Sequence, residues 1–341
     1  MLALLCPGQG AQSPGMLAPW LELPAVAAAV DAASEAAGLD LRVHGTVSDA
    51  ETIRDTAVAQ PLLVAAALAS LRAVLDLDGG APLAPAAATA ADVVAGHSVG
   101  ELAAAAISGV VTEDEALRLV AVRGTAMARA AAATPSGMAA VLGGDPEEVL
   151  AALERLGLVP ANVNGAGQVV AAGTREAVAA LVASPPARAR VVALQVAGAF
   201  HTEHMAPAVA ELAAAAAALA PADPGMPLLT NGDGSVLTSG ADALERLVGQ
   251  VARPVRWDRC QETLAGLGVT AVLELAPGGV LTGLARRTLP GVETLALKGP
   301  EGLDAARALV AAHGPAARAG APDGTPAADD GPAPLTERSH P

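Results

Sequence analysis

A chain of 341 residues is long enough for two domains and a sizeable hydrophobic core. Its net charge of −15 is opposite in sign to the basic surface that nucleic-acid binding needs, which argues against DNA and RNA as partners. Hydrophobic residues make up 52% of the chain and aromatic residues only 1%, so the core must be built from small aliphatic side chains.

The two cysteines, Cys6 and Cys260, match neither a disulfide framework nor the spacing of a metal site. The N-terminus lacks a charged segment followed by an apolar run and a cleavage site. Gly, Pro or charged residues interrupt the apolar stretches before they reach the length of a membrane span. We therefore expect a cytoplasmic protein that binds neither metal nor membrane.

The first part of the chain alternates short apolar runs with helical periodicity. Residues 1–6 predict a buried strand that leads into the glycine-rich loop PGQGAQSPGM. Residues 25–37 and 56–75 predict helices, residues 93–95 a second buried strand, and residues 99–107 a further helix. This alternation favours a mainly parallel sheet that is covered on both faces.

The middle of the chain has a different order of elements, strand-helix-strand-strand-helix-strand, which is typical of a ferredoxin-like domain. The predicted elements are a strand at 138–142, a helix at 145–156, a hairpin in ANVNGAGQVVAAG, a helix from 174 and a strand at 190–196. We expect a small domain over 131–198, inserted into a large α/β domain made of 1–130 and 199–312. Further strands are predicted at 271–275 and 293–297.

The last part of the chain, after about His313, is rich in Pro, Ala, Gly and Asp and has almost no large apolar residues. It buries too little surface to offset the entropy of ordering it. Residues 313–341 are therefore predicted to form a disordered tail.

The pentapeptide GHSVG at 96–100 lies between a predicted strand and a predicted helix. In a strand–turn–helix elbow, the serine exposes its Oγ at the sheet edge and faces the N–H groups of the following helix. This context favours Ser98 as a nucleophile. The alternative is an ordinary turn in which Ser98 caps the helix.

A nucleophilic serine needs a base, and histidine is the usual one. The side chain of His97 leaves the elbow in a different direction from that of Ser98, so His97 is a poor candidate for the base. His201 and His204 lie in GAFHTEHM, where the large domain resumes, although both could instead be exposed loop residues. No recognised zinc-ligand spacing is present, so we predict no metal site.

Arg123 interrupts the apolar stripe of a helix whose start is marked by a capping box from Thr112 to Glu115. A buried guanidinium is costly unless a carboxylate or phosphate meets it. That partner could be an acidic residue of the chain or the carboxylate of a substrate. Because the protein as a whole carries a net negative charge, an anionic ligand must meet a local cluster of arginines in order to bind.

Seven separated blocks resemble, in family order, those of malonyl-CoA:acyl carrier protein transacylases and polyketide-synthase acyltransferase domains. They are PGQGAQSPGM, GHSVGE at 96–101, RG at 123–124 followed by Met127, NVNGAGQVVAAG, GAFHTEHM, QVARPVRW at 250–257 and ELAPGGVLTGL. The resemblance covers residues 1–300 and implies an α/β-hydrolase-like large domain with the inserted small domain. The alanine in ELAPGG and Gly165 depart from the usual pattern.

The resemblance implies a malonyl-serine intermediate on Ser98, with His201 as the base and the backbone carbonyl of Gln250 holding the histidine's other nitrogen. It implies that the amides of Gln9 and Val99 form an oxyanion hole. It also implies a ping-pong transfer of malonate from coenzyme A to the phosphopantetheine thiol of acyl carrier protein. No resident cofactor is implied.

Further positions are expected to bind the substrate by the same resemblance. Arg123 would hold the free malonyl carboxylate, and Phe200 would crowd an α-methyl group, which favours malonyl over methylmalonyl. The remaining expected cleft residues are Met127, Asn162, Asn164 and Gln168. Candidates for docking the acidic carrier are Arg190, Arg286 and Arg287. We expect a monomer.

Two other classes stay open on the residues alone. An esterase or thioesterase of the α/β-hydrolase type shares the elbow, but such enzymes usually carry the histidine close to the C-terminus. A non-catalytic scaffold that binds the carrier would be expected to lose Ser98, His201 or Arg123, and all three are present.

Overall fold

The computed structural model describes residues 1–78 and 80–319. Its helices are α1 (Pro24–Ala37), α2 (Leu41–Thr46), α3 (Thr56–Val74), α4 (Leu83–Ala90), α5 (Gly100–Ser108), α6 (Glu113–Ala133), α7 (Pro146–Arg155), α8 (Arg175–Ala183), α9 (Ala206–Ala216), α10 (Gly240–Gly249), α11 (Trp257–Gly266), α12 (Val280–Thr288), α13 (Leu303–His313) and α14 (Pro315–Ala319). Its strands are β1 (Leu2–Cys6), β2 (Val93–Gly96), β3 (Ser136–Gly143), β4 (Val159–Gly165), β5 (Gln168–Thr174), β6 (Ala189–Ala193), β7 (Leu228–Leu229), β8 (Val236–Leu237), β9 (Val255–Arg256), β10 (Ala271–Glu274) and β11 (Glu293–Ala296).

The first sheet has the strand order β11-β10-β1-β2-β7-β8. Its neighbours from β11 to β7 are parallel, and only β7 and β8 pair antiparallel. Every residue of β1 and β2 is buried, as expected for strands covered on both faces. The predicted mainly parallel sheet is confirmed. Because Cys6 lies beside Gly96, the loops that follow β1 and β2 leave the sheet side by side.

The second sheet has the order β6-β3-β5-β4-β9. The predicted order of elements is present as β3-α7-β4-β5-α8-β6, and the two helices share an apolar core with these strands. The sheet also has a fifth strand, because β9 pairs parallel with β4 through Asn162 and Val255. This strand comes from outside the predicted segment 131–198. It covers an otherwise open sheet edge, and two residues are too short to leave a periodic signal in the sequence.

Helix α3 differs from the expectation that the apolar stretches are too short for a membrane. It is 19 residues long and apolar enough to span one by length and composition, but 83% of its most apolar window is buried inside the protein. It packs against α6, α1 and α5 and contributes to the main core. A helix that is apolar all round is also what a protein interior requires.

The prediction of disorder from residue 313 is wrong for its first seven residues. Helix α13 runs to His313, and α14 follows at Pro315–Ala319. His313 is hydrogen-bonded to Thr270 and Glu293, which ties this end of α13 to the first sheet. Such contacts with distant residues cannot be read from a Pro- and Ala-rich composition. The rest of the predicted tail, residues 320–341, lies outside the described residues.

Candidate active site

The elbow forms where β2 ends at Gly96 and α5 begins at Gly100. Ser98, at its apex, has a left-handed backbone with φ of 53°. Both glycines are required by close backbone approach, because a Cβ on Gly96 would lie 2.1 Å from the backbone of Gly100, and one on Gly100 would lie 2.2 Å from the carbonyl of Cys6. The turn therefore presents Ser98 Oγ in a strained, fixed position.

Ser98 and His201 are in direct contact, with Ser98 Oγ 2.7 Å from His201 Nε2. The other ring nitrogen, Nδ1, lies 3.0 Å from the carbonyl oxygen of Gln250. A carbonyl only accepts, so Nδ1 carries the proton and Nε2 is free to accept from the serine. Burial, with the positive charge of Arg123, lowers the pKa of His201 to about 3. The imidazole is therefore neutral at physiological pH, as a base must be.

Gln9 and Val99 lie in the two loops that leave the sheet side by side. Gln9 lines the cleft together with Ser98. Among the described residues, neither the Gln9 nor the Val99 amide N–H donates a hydrogen bond to another protein group. The side chain of Val99 is buried, with 1% exposed, and points away from the cleft into the core.

Arg123 projects from α6 to Ser98 and is 2% exposed. Its Nη1 donates to Gln60 Oε1 at 2.6 Å, and its Nη2 donates to Gln250 Oε1 at 2.6 Å and lies 3.5 Å from Ser98 Oγ. These two amide acceptors are neutral, so they hold the guanidinium in place without cancelling its charge. Burial lowers the pKa of Arg123 to about 10, against the opposing charge of Glu101, and the group stays cationic.

Glu101 and the side chain of Gln250 complete this network, and sequence reasoning missed both roles. Gln250 Nε2 donates to Glu101 Oε2 and to the carbonyl of Ser98, the latter at 2.9 Å. Glu101 Oε1 accepts from the backbone N–H of Asn231. Burial raises the pKa of Glu101 to about 7, against hydrogen bonds from Asn231, Gln250 and Thr230 and the positive charge of Arg123. The available signal was that Glu101 is the one charged residue of α5, a helix buried along its whole length.

The cleft above Ser98 has a volume of about 190 Å³. Two buried apolar side chains, Met127 and Phe200, line it on the side of the first sheet. The second sheet supplies a polar wall made of Asn162, Asn164 and Gln168. The predicted site residues are thus brought to one place from six separate parts of the chain, except that Val99 contributes only backbone.

The residues of this wall differ in their partners. Asn164 Oδ1 lies 3.0 Å from His97 Nε2, and Gln168 Oε1 accepts from Arg287 at 3.2 Å. The Oδ1 of Asn162 is buried and has no hydrogen-bond partner among the described residues. Buried amide oxygens are nearly always satisfied, so Asn162 is an exception among the residues that line the cleft.

Two other histidines, His97 in the cleft lining and His204, contact groups other than Ser98. His97 packs edge-on against Trp257, with ring centroids 5.5 Å apart, and its pKa is lowered by burial. His204 lies 3.1 Å from the Thr202 hydroxyl. Within the described ranges, no group of three or more His, Cys, Asp or Glu residues could hold a metal ion.

The three arginines predicted to dock a carrier are exposed and lie outside the residues that line the cleft. Arg190 is on β6, whereas Arg286 and Arg287 are in the last turn of α12. Arg286 donates to Thr294, and Arg287 reaches the cleft wall through Gln168.

The site has the geometry that serine-dependent acyl transfer requires: an elbow serine paired with histidine, a backbone carbonyl that holds the histidine and a cation beside the serine. Residues 3–311 match the model of the acyl transferase domain, and the chain belongs to that family. Its relatives include the malonyl CoA-acyl carrier protein transacylase of Mycobacterium tuberculosis (strain ATCC 25618 / H37Rv). The two are 55% identical over 305 residues, which cover 89% of this chain and 98% of the relative.

More distant relatives agree with this assignment. The malonyl CoA-acyl carrier protein transacylase of Escherichia coli (strain K12) is 34% identical over 314 residues, covering 90% of this chain and 99% of the relative. Among solved structures, MCAT from Mycobacterium tuberculosis superposes with a TM-score of 0.83 at 53% identity, covering 90% of this chain and 99% of that one. The acyl carrier protein S-malonyltransferase from Vibrio cholerae gives 0.79 at 33% identity, with 89% and 99% covered.

Proposed function

We propose that this protein transfers a malonyl group from malonyl-CoA to the phosphopantetheine thiol of acyl carrier protein. The observation that carries the proposal is the surroundings of Ser98 Oγ, which lies 2.7 Å from a neutral base, His201, and 3.5 Å from a buried cation, Arg123. Relatives that share 34 to 55% of their residues with this chain carry the name of that activity.

The first half of the reaction acylates the enzyme. Ser98 Oγ attacks the thioester carbonyl of malonyl-CoA while its proton passes to His201 Nε2. The oxyanion of the tetrahedral intermediate accepts hydrogen bonds from the backbone N–H groups of Gln9 and Val99. One such donor stabilises the transition state by about 3 kcal/mol in comparable enzymes. The C–S bond then breaks, and coenzyme A leaves as a thiol with the proton from His201. Malonate remains as an ester on Ser98.

The second half reverses these steps with a different thiol. The phosphopantetheine thiol of the carrier gives its proton to His201 and attacks the malonyl-serine carbonyl. When the intermediate collapses, Ser98 Oγ leaves and takes the proton from His201. The malonyl thioester is now on the carrier, and the enzyme is unchanged. The Gln250 carbonyl stabilises the imidazolium that forms in each half, in the position that a carboxylate has in serine hydrolases.

Substrate choice follows from the charge and shape of the cleft. The malonyl carboxylate pairs with the fixed guanidinium of Arg123, while an acetyl group would leave that cation without an anion. Phe200 lies in the cleft next to His201, where its ring opposes an α-methyl substituent, and Met127 limits the cleft on the same side. Asn162 and Asn164 bind the amide-rich arm that carries the thioester.

The same proposal extends to the architecture and setting of the enzyme. The first sheet with its helices is an α/β-hydrolase-like domain of residues 1–130 and 199–312, and residues 131–198 are a ferredoxin-like insertion. The order β3-α7-β4-β5-α8-β6 supports the insertion. The enzyme works in the cytoplasm as a monomer, without a resident cofactor. It serves fatty-acid or polyketide synthesis, and Arg190, Arg286 and Arg287 face the acidic carrier.

The test is intact mass spectrometry after brief exposure to malonyl-CoA. The wild type is expected to gain one malonyl group, and Ser98→Ala none. The matched control is Ser13→Ala in the exposed glycine-rich loop after β1, which should acylate like the wild type. An undiminished adduct on Ser98→Ala would overturn the mechanism. Addition of holo-carrier should move the group onto the carrier, whereas release of free malonate would instead favour the esterase or thioesterase alternative.

A further inference from the structure

The side chain of Gln250 is the junction of the active-site network, since it contacts Arg123, Ser98 and Glu101. Gln250 also holds His201 through its backbone carbonyl. We propose that Glu101 is a positioning residue that fixes the orientation of the Gln250 carboxamide and thereby holds Arg123 in place for the substrate carboxylate. This inference deepens the proposed function and rests on it.

The carboxamide has one oxygen that accepts and one nitrogen that donates, so its orientation matters. The Arg123 guanidinium only donates and therefore requires Gln250 Oε1. The Ser98 carbonyl only accepts and requires Nε2, at 2.9 Å. Glu101 Oε2 also accepts from Nε2, which gives this orientation a second partner. A reversed carboxamide would turn its N–H groups toward the guanidinium and its oxygen toward a carboxylate.

A carboxylate is the group that this position needs, because both of its oxygens are used as acceptors. Oε1 accepts from the backbone N–H of Asn231, and Oε2 accepts from Gln250. A glutamine at position 101 has only one oxygen, so it can satisfy one of these donors and must oppose the other with its own N–H groups. The Asn231 backbone is fixed, since its carbonyl also accepts from Arg256 N at 2.6 Å. The freer Gln250 side chain is therefore the one expected to turn.

The cost of placing Glu101 here also indicates a function beyond packing. Glu101 is 4% exposed in a buried helix whose other residues are all uncharged. Its nearest cation on α6 is Arg123, from which the Gln250 carboxamide separates it. Arg246, on α10, is already paired with Asp233 and Asp242. Burial of a carboxylate without a direct ion pair is unfavourable, and a residue chosen for stability alone would be apolar.

The test compares Glu101→Gln with the wild type in two reactions at Ser98. Malonyl transfer from malonyl-CoA needs Arg123, whereas inactivation by phenylmethylsulfonyl fluoride, an uncharged serine reagent, needs only Ser98 and His201. We expect kcat/KM for malonyl-CoA to fall about 30-fold, as expected for one charge-assisted hydrogen bond, and the inactivation rate to stay within about twofold. Glu147→Gln, an exposed residue of α7, is the control for loss of one negative charge.

A double-mutant cycle shows whether Glu101 acts through Arg123. In an Arg123→Ala background, Glu101→Gln should lower kcat/KM for malonyl-CoA by less than about twofold. Equal losses in both reactions, or additive losses in the cycle, would overturn the inference. If Glu101→Gln does not fold, Glu101→Asp keeps the charge but shortens the reach to Gln250, and it should lose malonyl transfer with the inactivation rate unchanged.

The two proposals fail in different ways. A wild type that takes up no malonyl group overturns the proposed function and this inference with it. A wild type that is active, together with a Glu101→Gln variant of unchanged kcat/KM, overturns the inference alone.

Discussion

The two sides of the cleft differ in how completely their polar groups are satisfied. The floor consists of Ser98, Glu101, Arg123, His201 and Gln250, whose functional side chains are hydrogen-bonded to one another. The wall consists of Asn162, Asn164 and Gln168, of which Asn162 keeps a buried amide oxygen without a partner in the described structure.

This difference distinguishes a preorganised part of the cleft from a part with an unsatisfied polar group. The floor is organised before any substrate arrives, so no free energy is spent on orienting it during the reaction. The wall includes one amide oxygen that no described protein group satisfies. The floor comes from the elbow, from α5 and α6, and from the segments that carry His201 and Gln250, whereas the wall comes from the β4–β5 hairpin of the second sheet. Under the proposed function, the chemistry and the binding of the rest of the substrate fall to different parts of the fold.

The largest expected effect within this comparison is on the floor, at its one cation. Arg123→Ala should lower kcat/KM for malonyl-CoA about 300-fold, because two charge-assisted hydrogen bonds to the malonyl carboxylate are lost. Arg123→Lys keeps the charge but not the two-pronged geometry and should recover only part of the rate. Steady-state kinetics with thermal melting separates the roles, since a variant that simply unfolds would make Arg123 structural.

A second prediction concerns the pH dependence of stability that the floor imposes. The pKa of His201 is lowered from 6.5 to about 3, so on acidification the unfolded chain takes up a proton at this residue before the folded chain does. Stability is therefore lost as pH falls through the unfolded value. Between about pH 7.5 and about pH 5.5, the wild type should lose about 1.4 kcal/mol of unfolding free energy more than His201→Asn.

Urea unfolding of both proteins at the two pH values measures this difference. Asparagine is the suitable replacement, because His201 has a φ of 61° and asparagine tolerates a left-handed backbone. Parallel changes in the two proteins would show that His201 is not held neutral by its surroundings, and the floor would be less rigidly organised than the hydrogen bonds indicate.

The smallest expected effect is on the wall. Asn162→Ala removes an amide oxygen that no described protein group uses, so KM for malonyl-CoA should rise about fivefold while kcat and the melting temperature stay nearly constant. Asn164→Ala is the matched comparison. It breaks the contact with His97 and should lower the melting temperature as well. Equal changes in KM and melting temperature for the two variants would contradict the distinction between a hydrogen-bonded and an unpartnered position in the wall.

The sequence could predict features that depend on short stretches of chain. The capping box of Thr112 and Glu115 is formed, and the strands and helices around GHSVG have nearly the expected bounds. These features follow from local sterics and hydrogen bonding, which the neighbouring residues determine. The resemblance added the choice of His201, Arg123 and the Gln250 carbonyl, all of which lie at the elbow.

Only the tertiary structure decided the groups that join distant parts of the chain. The sequence left open whether the partner of Arg123 is an acidic residue or a substrate, and its acceptors are two neutral amides, Gln60 and Gln250. The bridge from Gln250 to Glu101 spans 149 residues, and β9, at Val255–Arg256, completes a sheet whose other strands all lie between residues 136 and 193. A side chain's orientation depends on which donors and acceptors surround it after folding, and no periodicity or spacing encodes that.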